Sequence, residues 1–225
     1  LIGALCDLLG NESHTTHIVV FGLYDEAGGL LATEEVTSLH LHGHIFTCSA
    51  VLIPQTRLQS WSPQTPVWYT VSARVGKDQV NVTTAVRVFD WTGHKAKLND
   101  IAIELQGFSH HPSFAGMGAM VSARLTLFHV QTSKALGMNF WRTSHNPYAD
   151  DLYELLTILG VMCWDENRNF GVEHVQEYDD MIKGHRSHAA IMLWGMCNEA
   201  QCAIQNGSSA EAFLRVKQSL DPDRP

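Results

Sequence analysis

Ile191-Met192-Leu193-Trp194-Gly195-Met196-Cys197-Asn198-Glu199 decides how this chain folds. Four apolar residues in a row are bounded by Gly195 and closed by an Asn-Glu pair. That pattern predicts a strand buried on both faces, of the kind found in parallel sheets, with a carboxylate at its C-terminal end. In a β/α barrel that end opens on the mouth where catalytic groups converge. The plainer reading is a buried strand followed by a helix whose first turn happens to carry Glu199, and the nine residues alone fit both.

The rhythm of the surrounding chain favours the barrel. From about Trp91 onward strand-like and helix-like stretches alternate: strands at 101–108, 138–142, 161–165 and 191–195, with helices at 123–136, 150–159, 175–184 and 209–219. Ser208 or Ser209 is a suitable N-cap for the last helix. Repeated βα units imply parallel strands joined by right-handed crossovers, and four such units make half of an eight-stranded barrel. His111, His145, Asp165, Asn198 and Glu199 all follow directly on predicted strands, which places them on one face. Upstream, stretches 18–23, 36–41, 45–53, 67–75 and 80–89 are rich in β-branched and aromatic residues and punctuated by Gly, Pro, Asn and Asp, the pattern of an antiparallel β-sandwich. Residues 1–17 receive no assignment.

Composition narrows the function classes. The chain has 225 residues, enough for one large or two modest domains, and its 45% hydrophobic content supports a buried core. A net charge of −8 argues against a nucleic-acid or anionic-membrane partner, which would require clustered Lys and Arg. No stretch is long and apolar enough to span a bilayer. Cys6, Cys48, Cys163, Cys197 and Cys202 form no C-x-x-C pair, and Cys163 and Cys197 fall in predicted buried strands, where a free thiol packs as a small hydrophobe. Asn11, Asn81 and Asn206 head glycosylation triplets of the kind that also arise by chance. His40, His42 and His44 alternate and would share one side of a strand. A metal site there is an alternative function, but an exposed sandwich face explains the pattern equally well.

Three blocks carry a family resemblance. They are Leu136-Gly-Met-Asn-Phe-Trp-Arg142-Thr-Ser-His145-Asn-Pro147, Leu159-Gly-Val-Met-Cys-Trp-Asp165-Glu166-Asn-Arg168, and His188 through Glu199. In this order and spacing they resemble the catalytic barrel of glycoside hydrolase family 2, which groups β-galactosidases, β-glucuronidases and β-mannosidases. Leu105-Gln-Gly-Phe-Ser-His-His111, Asp221-Pro-Asp-Arg-Pro225 and Trp61-Ser-Pro-Gln-Thr-Pro66 extend the likeness over most of the chain from Trp61. The resemblance implies an immunoglobulin-like β-sandwich over residues 1–90, followed over 91–225 by the first four βα units of a (β/α)8 TIM barrel. It also implies a retaining hydrolase of terminal β-linked sugars. Glu199 would be the general acid/base, with its pKa raised by apolar neighbours such as Trp194 and Met196, and Asn198 would meet the sugar's 2-hydroxyl. His145 and, with altered neighbours Ser109 and His110, His111 would line the sugar pocket, and Arg142 would buttress the carboxylates. Asp165 and Glu166 are equally well read as structural, bonded to Arg142 or Arg168.

The family's nucleophile is a second glutamate on the seventh barrel strand. Leu1 and Pro225 therefore read as the ends of a piece of a longer polypeptide, lacking an N-terminal domain and the second half of the barrel. Such a piece alone is expected to be inactive and to self-associate through its open sheet edges. Some departures from the family pattern bear on chemistry. Asn167-Arg168-Asn169-Phe170 stands where some β-galactosidases carry a Glu-x-His magnesium site, so neither metal nor cofactor is expected. Asn99-Asp100 replaces an Asn-Gly turn, and Ala189-Ala190 a Pro-Ser pair. The Ser-His-Asn-Pro form of the first block is most like β-galactosidases. β-Glucuronidase or β-mannosidase is the alternative within the family, and an inactive carbohydrate- or metal-binding piece the alternative outside it. A carbohydrate is the expected partner, a homo-oligomer is compatible with the family, and localisation stays unassigned.

Overall fold

The computed structural model describes residues 2–9, 18–37, 40–42, 45–199 and 207–225, which divide into two compact units. The first comprises residues 1–59 and 67–84, the second residues 60–66 and 85–225.

The first unit is built from two antiparallel sheets. Strands β1 (Ile2–Leu9), β4 (His40–His42) and β5 (Ile45–Leu52) form one, in the order β1-β5-β4. Strands β2 (Ile18–Tyr24), β3 (Leu30–Thr37), β6 (Tyr69–Val75) and β7 (Asp78–Thr84) form the other, in the order β3-β2-β6-β7. Side chains alternate as the pleat requires: Val19, Phe21 and Leu23 of β2 are buried, as are Cys48, Ala50 and Leu52 of β5, whereas Thr47, Ser49 and Val51 face solvent. β1 occupies part of the stretch that sequence reasoning left unassigned.

The second unit opens with a small antiparallel sheet of β8 (Phe89–Thr92), β9 (Lys95–Leu98) and β10 (Ile101–Ala102). Asn99 and Asp100 make the β9–β10 turn with φ of 52° and 66°. Both residue types tolerate the left-handed conformation that a two-residue hairpin demands. That turn explains a correction. The strand expected at 101–108 does not run through: Ile101 pairs back with Leu98, and the first parallel strand starts only at Gly107.

Four parallel strands then follow in chain order. β11 (Gly107–His110) leads to α1 (Ala123–Ala135), β12 (Phe140–Thr143) to α2 (Asp150–Leu159), β13 (Met162–Glu166) to α3 (Val175–His185), and β14 (Ile191–Gly195) to α4 (Gly207–Leu220). Ser122 caps α1 by accepting from the Leu125 amide, and Gly160 ends α2 in the left-handed conformation. Alternate residues of the strands feed different cores. Trp141, Cys163, Ile191 and Trp194 pack against Leu152, Leu156, Tyr178, Ile182 and Phe213 of the helices. Met162 and Met192 instead meet Trp61, Phe89 and Leu98.

Trp61 explains why residues 60–66 belong with the parallel sheet rather than with the strands that flank them in sequence. It is fully buried, its amide donates to the Val86 carbonyl (2.8 Å), and its indole Nε1 donates to the Thr157 carbonyl (2.7 Å) at the end of α2. Trp61→Phe removes that donor and leaves the Thr157 carbonyl with only the long 3.4 Å bond from the Gly160 amide. The expected loss is about 1–3 kcal/mol in urea unfolding of the second unit; a change below about 0.5 kcal/mol would contradict the anchoring role.

Candidate active site

At the C-terminal ends of the parallel strands, one guanidinium gathers the polar residues. Arg142 projects from β12, and its neighbours Trp141 and Thr143 point to the opposite, helix-covered side. Its Nε donates to Glu166 Oε2 (2.7 Å), and Nη2 lies 2.5 Å from the same oxygen. Nη1 donates to Ser109 Oγ (3.1 Å) and Nη2 to Asn198 Oδ1 (2.8 Å). The plane of the group lies over the Trp164 ring, 4.7 Å from its centroid, a cation–π contact. A lysine, with one ammonium on a flexible stem, could not hold these partners in one plane.

Glu166 is the second hub. Its side chain is wholly buried, and while Oε2 takes the guanidinium, Oε1 takes His145 Nδ1 at 2.7 Å. A carboxylate paired with arginine only accepts, so His145 Nδ1 is the donor in this bond, which leaves Nε2 outside it. The 3.4 Å approach of Arg142 Nη2 to the same Nδ1 would require the other tautomer. The shorter contact decides, and the longer one is proximity. The His111 ring stands edge-on to His145 with centroids 5.1 Å apart. Gly195 makes the arrangement sterically feasible. A Cβ there would lie 2.3 Å from Trp164 Nε1 and 3.2 Å from the Glu166 Cα.

The residues expected at the site are thus partly assembled. Arg142, His145 and Asn198 are linked through Glu166 and Arg142, and His111 stacks at the edge. Glu199 is exposed and adopts φ 55°, a left-handed conformation uncommon for a non-glycine residue and of a kind that clusters at functional sites. Trp194, expected among its apolar neighbours, turns toward the helices, where its Nε1 donates to Asp221 Oδ2 (2.9 Å) and Arg224 covers its ring. Strand alternation is the reason, since Gly195 takes the inward position. Cys197, expected as a free thiol in a strand, lies past the end of β14 and is disulfide-bonded; Cys163 is free and buried as anticipated. Trp164 and Ser109 were not anticipated as contacts of Arg142. The signal for Trp164 was its place one residue before Asp165-Glu166, in register with Arg142.

No group of three or more metal-binding side chains occurs among the described residues. The side chains of His40 and His42, and all of His44, lie outside the described residues. A cavity of about 180 Å³ between the sheet and its helices is lined by His110, His129, Trp141 and Tyr148. Trp141 alternates with Arg142, which puts the cavity behind the strand that carries the site. Burial, followed by the fields of His129 and His111, lowers the His110 pKa to about 4. Burial beside His185 lowers that of His188, against the opposing pull of Asp150.

The resemblance read from the three blocks is borne out. A family model described as "Glycosyl hydrolases family 2, TIM barrel domain" matches residues 89–177, which include His111, Arg142, His145 and Glu166. A β-galactosidase of Bacteroides ovatus is 27% identical over 233 residues, covering 92% of this chain and 27% of that protein. A β-glucuronidase of Felis catus is 23% identical over 161 residues, covering 66% of this chain and 25% of that protein. Among solved structures, one described as a putative β-galactosidase from Bacteroides fragilis superposes with a TM-score of 0.86 at 20% identity, over 99% of this chain and 35% of that one, a likeness of fold. The chain spans about a quarter of the length of these curated relatives.

The neutral imidazoles set a pH dependence. A histidine whose folded pKa lies below its unfolded value of about 6.5 is protonated preferentially by the unfolded chain as pH falls. The His110 contribution is complete above about pH 6.5 and is lost on descending toward pH 4. His110, which faces His129, His111, Tyr148 and Asp151, should dominate. In melting curves recorded from pH 7.5 to 4.5, His110→Gln should flatten the acid side of the Tm profile; an unchanged slope would refute the assignment.

Proposed function

We propose that this chain, which carries the TIM-barrel segment of glycosyl hydrolase family 2, supplies the acid/base half of a retaining exo-glycosidase active site. The observation that supports this best is the bond from Arg142 to Asn198, the residue beside Glu199. It pins the peptide that bears the acid/base to the same guanidinium that holds Glu166 and, through it, His145. In this reading the four βα units are the first half of the eight-fold barrel and the two-sheet unit is an immunoglobulin-like sandwich. Glu199 protonates the glycosidic oxygen as the aglycone leaves, then takes a proton from the water that releases the sugar. Asn198 offers its amide to the 2-hydroxyl, and His145 Nε2 and His111 meet other sugar hydroxyls.

Retaining chemistry needs a second carboxylate as nucleophile. Asp165 and Glu166 are unsuited to it, because both side chains are fully buried and every carboxylate oxygen is already engaged. The family resemblance instead implies a nucleophile on a seventh barrel strand, a residue outside these 225. A β-D-galactoside is the favoured substrate, since the β-galactosidase relative aligns with 92% of the chain. β-Glucuronides are the second reading, supported by the β-glucuronidase relatives.

The test is Glu199→Gln in the polypeptide that holds both carboxylates. Hydrolysis of alkyl glycosides, whose leaving groups need a proton, should fall about 10²–10⁴-fold, and that of activated aryl glycosides much less. Equal losses on both would remove Glu199 from the acid/base role. Unchanged turnover of both would remove the family reading of this site.

A further inference from the structure

Behind the strands, on the side away from Arg142, lies a buried carboxylate that the proposed chemistry does not use. Asp165 is wholly buried yet takes three side-chain donors. Tyr153 Oη (2.6 Å) and Thr143 Oγ1 (3.1 Å) donate to Oδ1, and His185 Nδ1 sits 2.8 Å from Oδ2. Desolvating a carboxylate is costly, and fixed partners offset the cost without making the arrangement more stable than an apolar one of the same volume. What this carboxylate does is fix the direction of two hydroxyl protons, and each hydroxyl then accepts an amide from the active-site side.

The first amide belongs to Glu166. The β12–β13 ladder pairs Phe140 with Met162, Trp141 with Cys163 and Arg142 with Trp164, and then stops. The amide of Glu166 donates not to a main-chain carbonyl of β12 but to Thr143 Oγ1 (2.9 Å). That lone pair is available because the hydroxyl proton is directed to Asp165. Without the carboxylate, the proton would turn toward the Trp164 carbonyl, now a marginal 3.5 Å away. The second amide belongs to Tyr148, three residues past His145 on the same loop, and it donates to Tyr153 Oη (2.8 Å). The two ends of the His145–Glu166 hydrogen bond therefore trace back to one carboxylate.

We propose that Asp165, acting through Thr143 and Tyr153, is a positioning residue that sets the separation of Glu166 from His145, and with it the placement of Arg142 and Asn198. The inference rests on reading this site as that of a glycosidase. Its residues touch no sugar, so they should act on geometry alone. A displacement of the order of 1 Å at such a site costs about 10²-fold in rate.

The experiment compares Thr143→Val, Thr143→Ser and Tyr153→Phe with Glu199→Gln in the polypeptide that holds both catalytic carboxylates. Readouts are kcat and KM, the Ki of a glycone-shaped competitive inhibitor, and the imidazole nitrogen shifts of His145 after ¹⁵N-histidine labelling. Thr143→Val should fold, lose about 10- to 100-fold in kcat/KM, weaken inhibitor binding, and lose the hydrogen-bonded Nδ1–H signature of His145. Thr143→Ser, which keeps the hydroxyl, should restore most of each. Tyr153→Phe should reproduce the loss from the His145 side. Folded Thr143→Val and Tyr153→Phe proteins with parent-like kinetics, Ki and His145 shifts would overturn the proposal, provided Glu199→Gln is crippled in the same assay. If Glu199→Gln is silent as well, what fails is the reading of this site as the acid/base half of the glycosidase centre. Should Thr143→Val not fold, the other two decide: Tyr153→Phe impaired with Thr143→Ser active supports the relay, and Tyr153→Phe at parent activity overturns it.

Discussion

The ion pair between Arg142 and Glu166 is the constraint around which the polar end of the parallel sheet is arranged. Glu166 is wholly buried and takes its guanidinium partner from Arg142. Removing one side of a buried pair costs about 3–5 kcal/mol, because the other charge is left without compensation. The pair fixes local choices that would otherwise look unrelated. Gly195 has no side chain because Trp164 and Glu166 occupy its space, and the guanidinium carbon of Arg142 sits over the Trp164 ring. Ser109, an unexpected residue beside His111, supplies an acceptor for the third edge of the fork. Asn198 is drawn in by its amide oxygen, which turns the peptide before Glu199 toward the mouth.

A division of labour between the two sides of the strands follows. Residues facing the mouth are polar and converge on Arg142. Residues facing the helices are mostly apolar, with Asp165 and its partner Thr143 as exceptions. At the start of β14, Arg87 bonds the Ala189 and Ile191 carbonyls. Burial lowers the pKa of Arg87 to about 9. These contacts hold the start of β14, while the polar cluster around Arg142 gathers at the strand ends, the distribution expected of a barrel.

Much of this was legible in the sequence, for identifiable reasons. The apolar runs at β13 and β14 and the amphipathic pattern of α2 and α3 depend on local periodicity, which a single sequence reports directly. The Asn99-Asp100 turn was legible too, but not its consequence: a hairpin turned Ile101 back onto Leu98, where an apolar run had suggested a continuous strand. Pairing across such a turn is a matter of backbone sign, which hydrophobicity does not encode. Arg142, His145 and Asn198 came from motif resemblance; in the structure Arg142 and His145 bond Glu166, and Asn198 bonds Arg142. The sequence left Glu166 and Asp165 undivided as structural acids. Adjacent residues on a strand face opposite ways, so one became a hub of the site and the other a buried anchor behind it. The direction in which Trp194 points, and the hydroxyl that stands in for a ladder bond at Glu166, depend on contacts far apart in sequence and have no local signature.

The central claim is that Glu166, through Arg142, holds Asn198 in working position, so that the three act as one unit. A double-mutant cycle of Glu166→Gln and Asn198→Ala, read as kcat/KM on a single glycoside, tests it most directly. Coupled residues should give a double variant less impaired than the product of the two single effects, with an interaction energy of about 1 kcal/mol or more. Additivity within about 0.3–0.5 kcal/mol would mean that the two residues act independently, and would contradict the account.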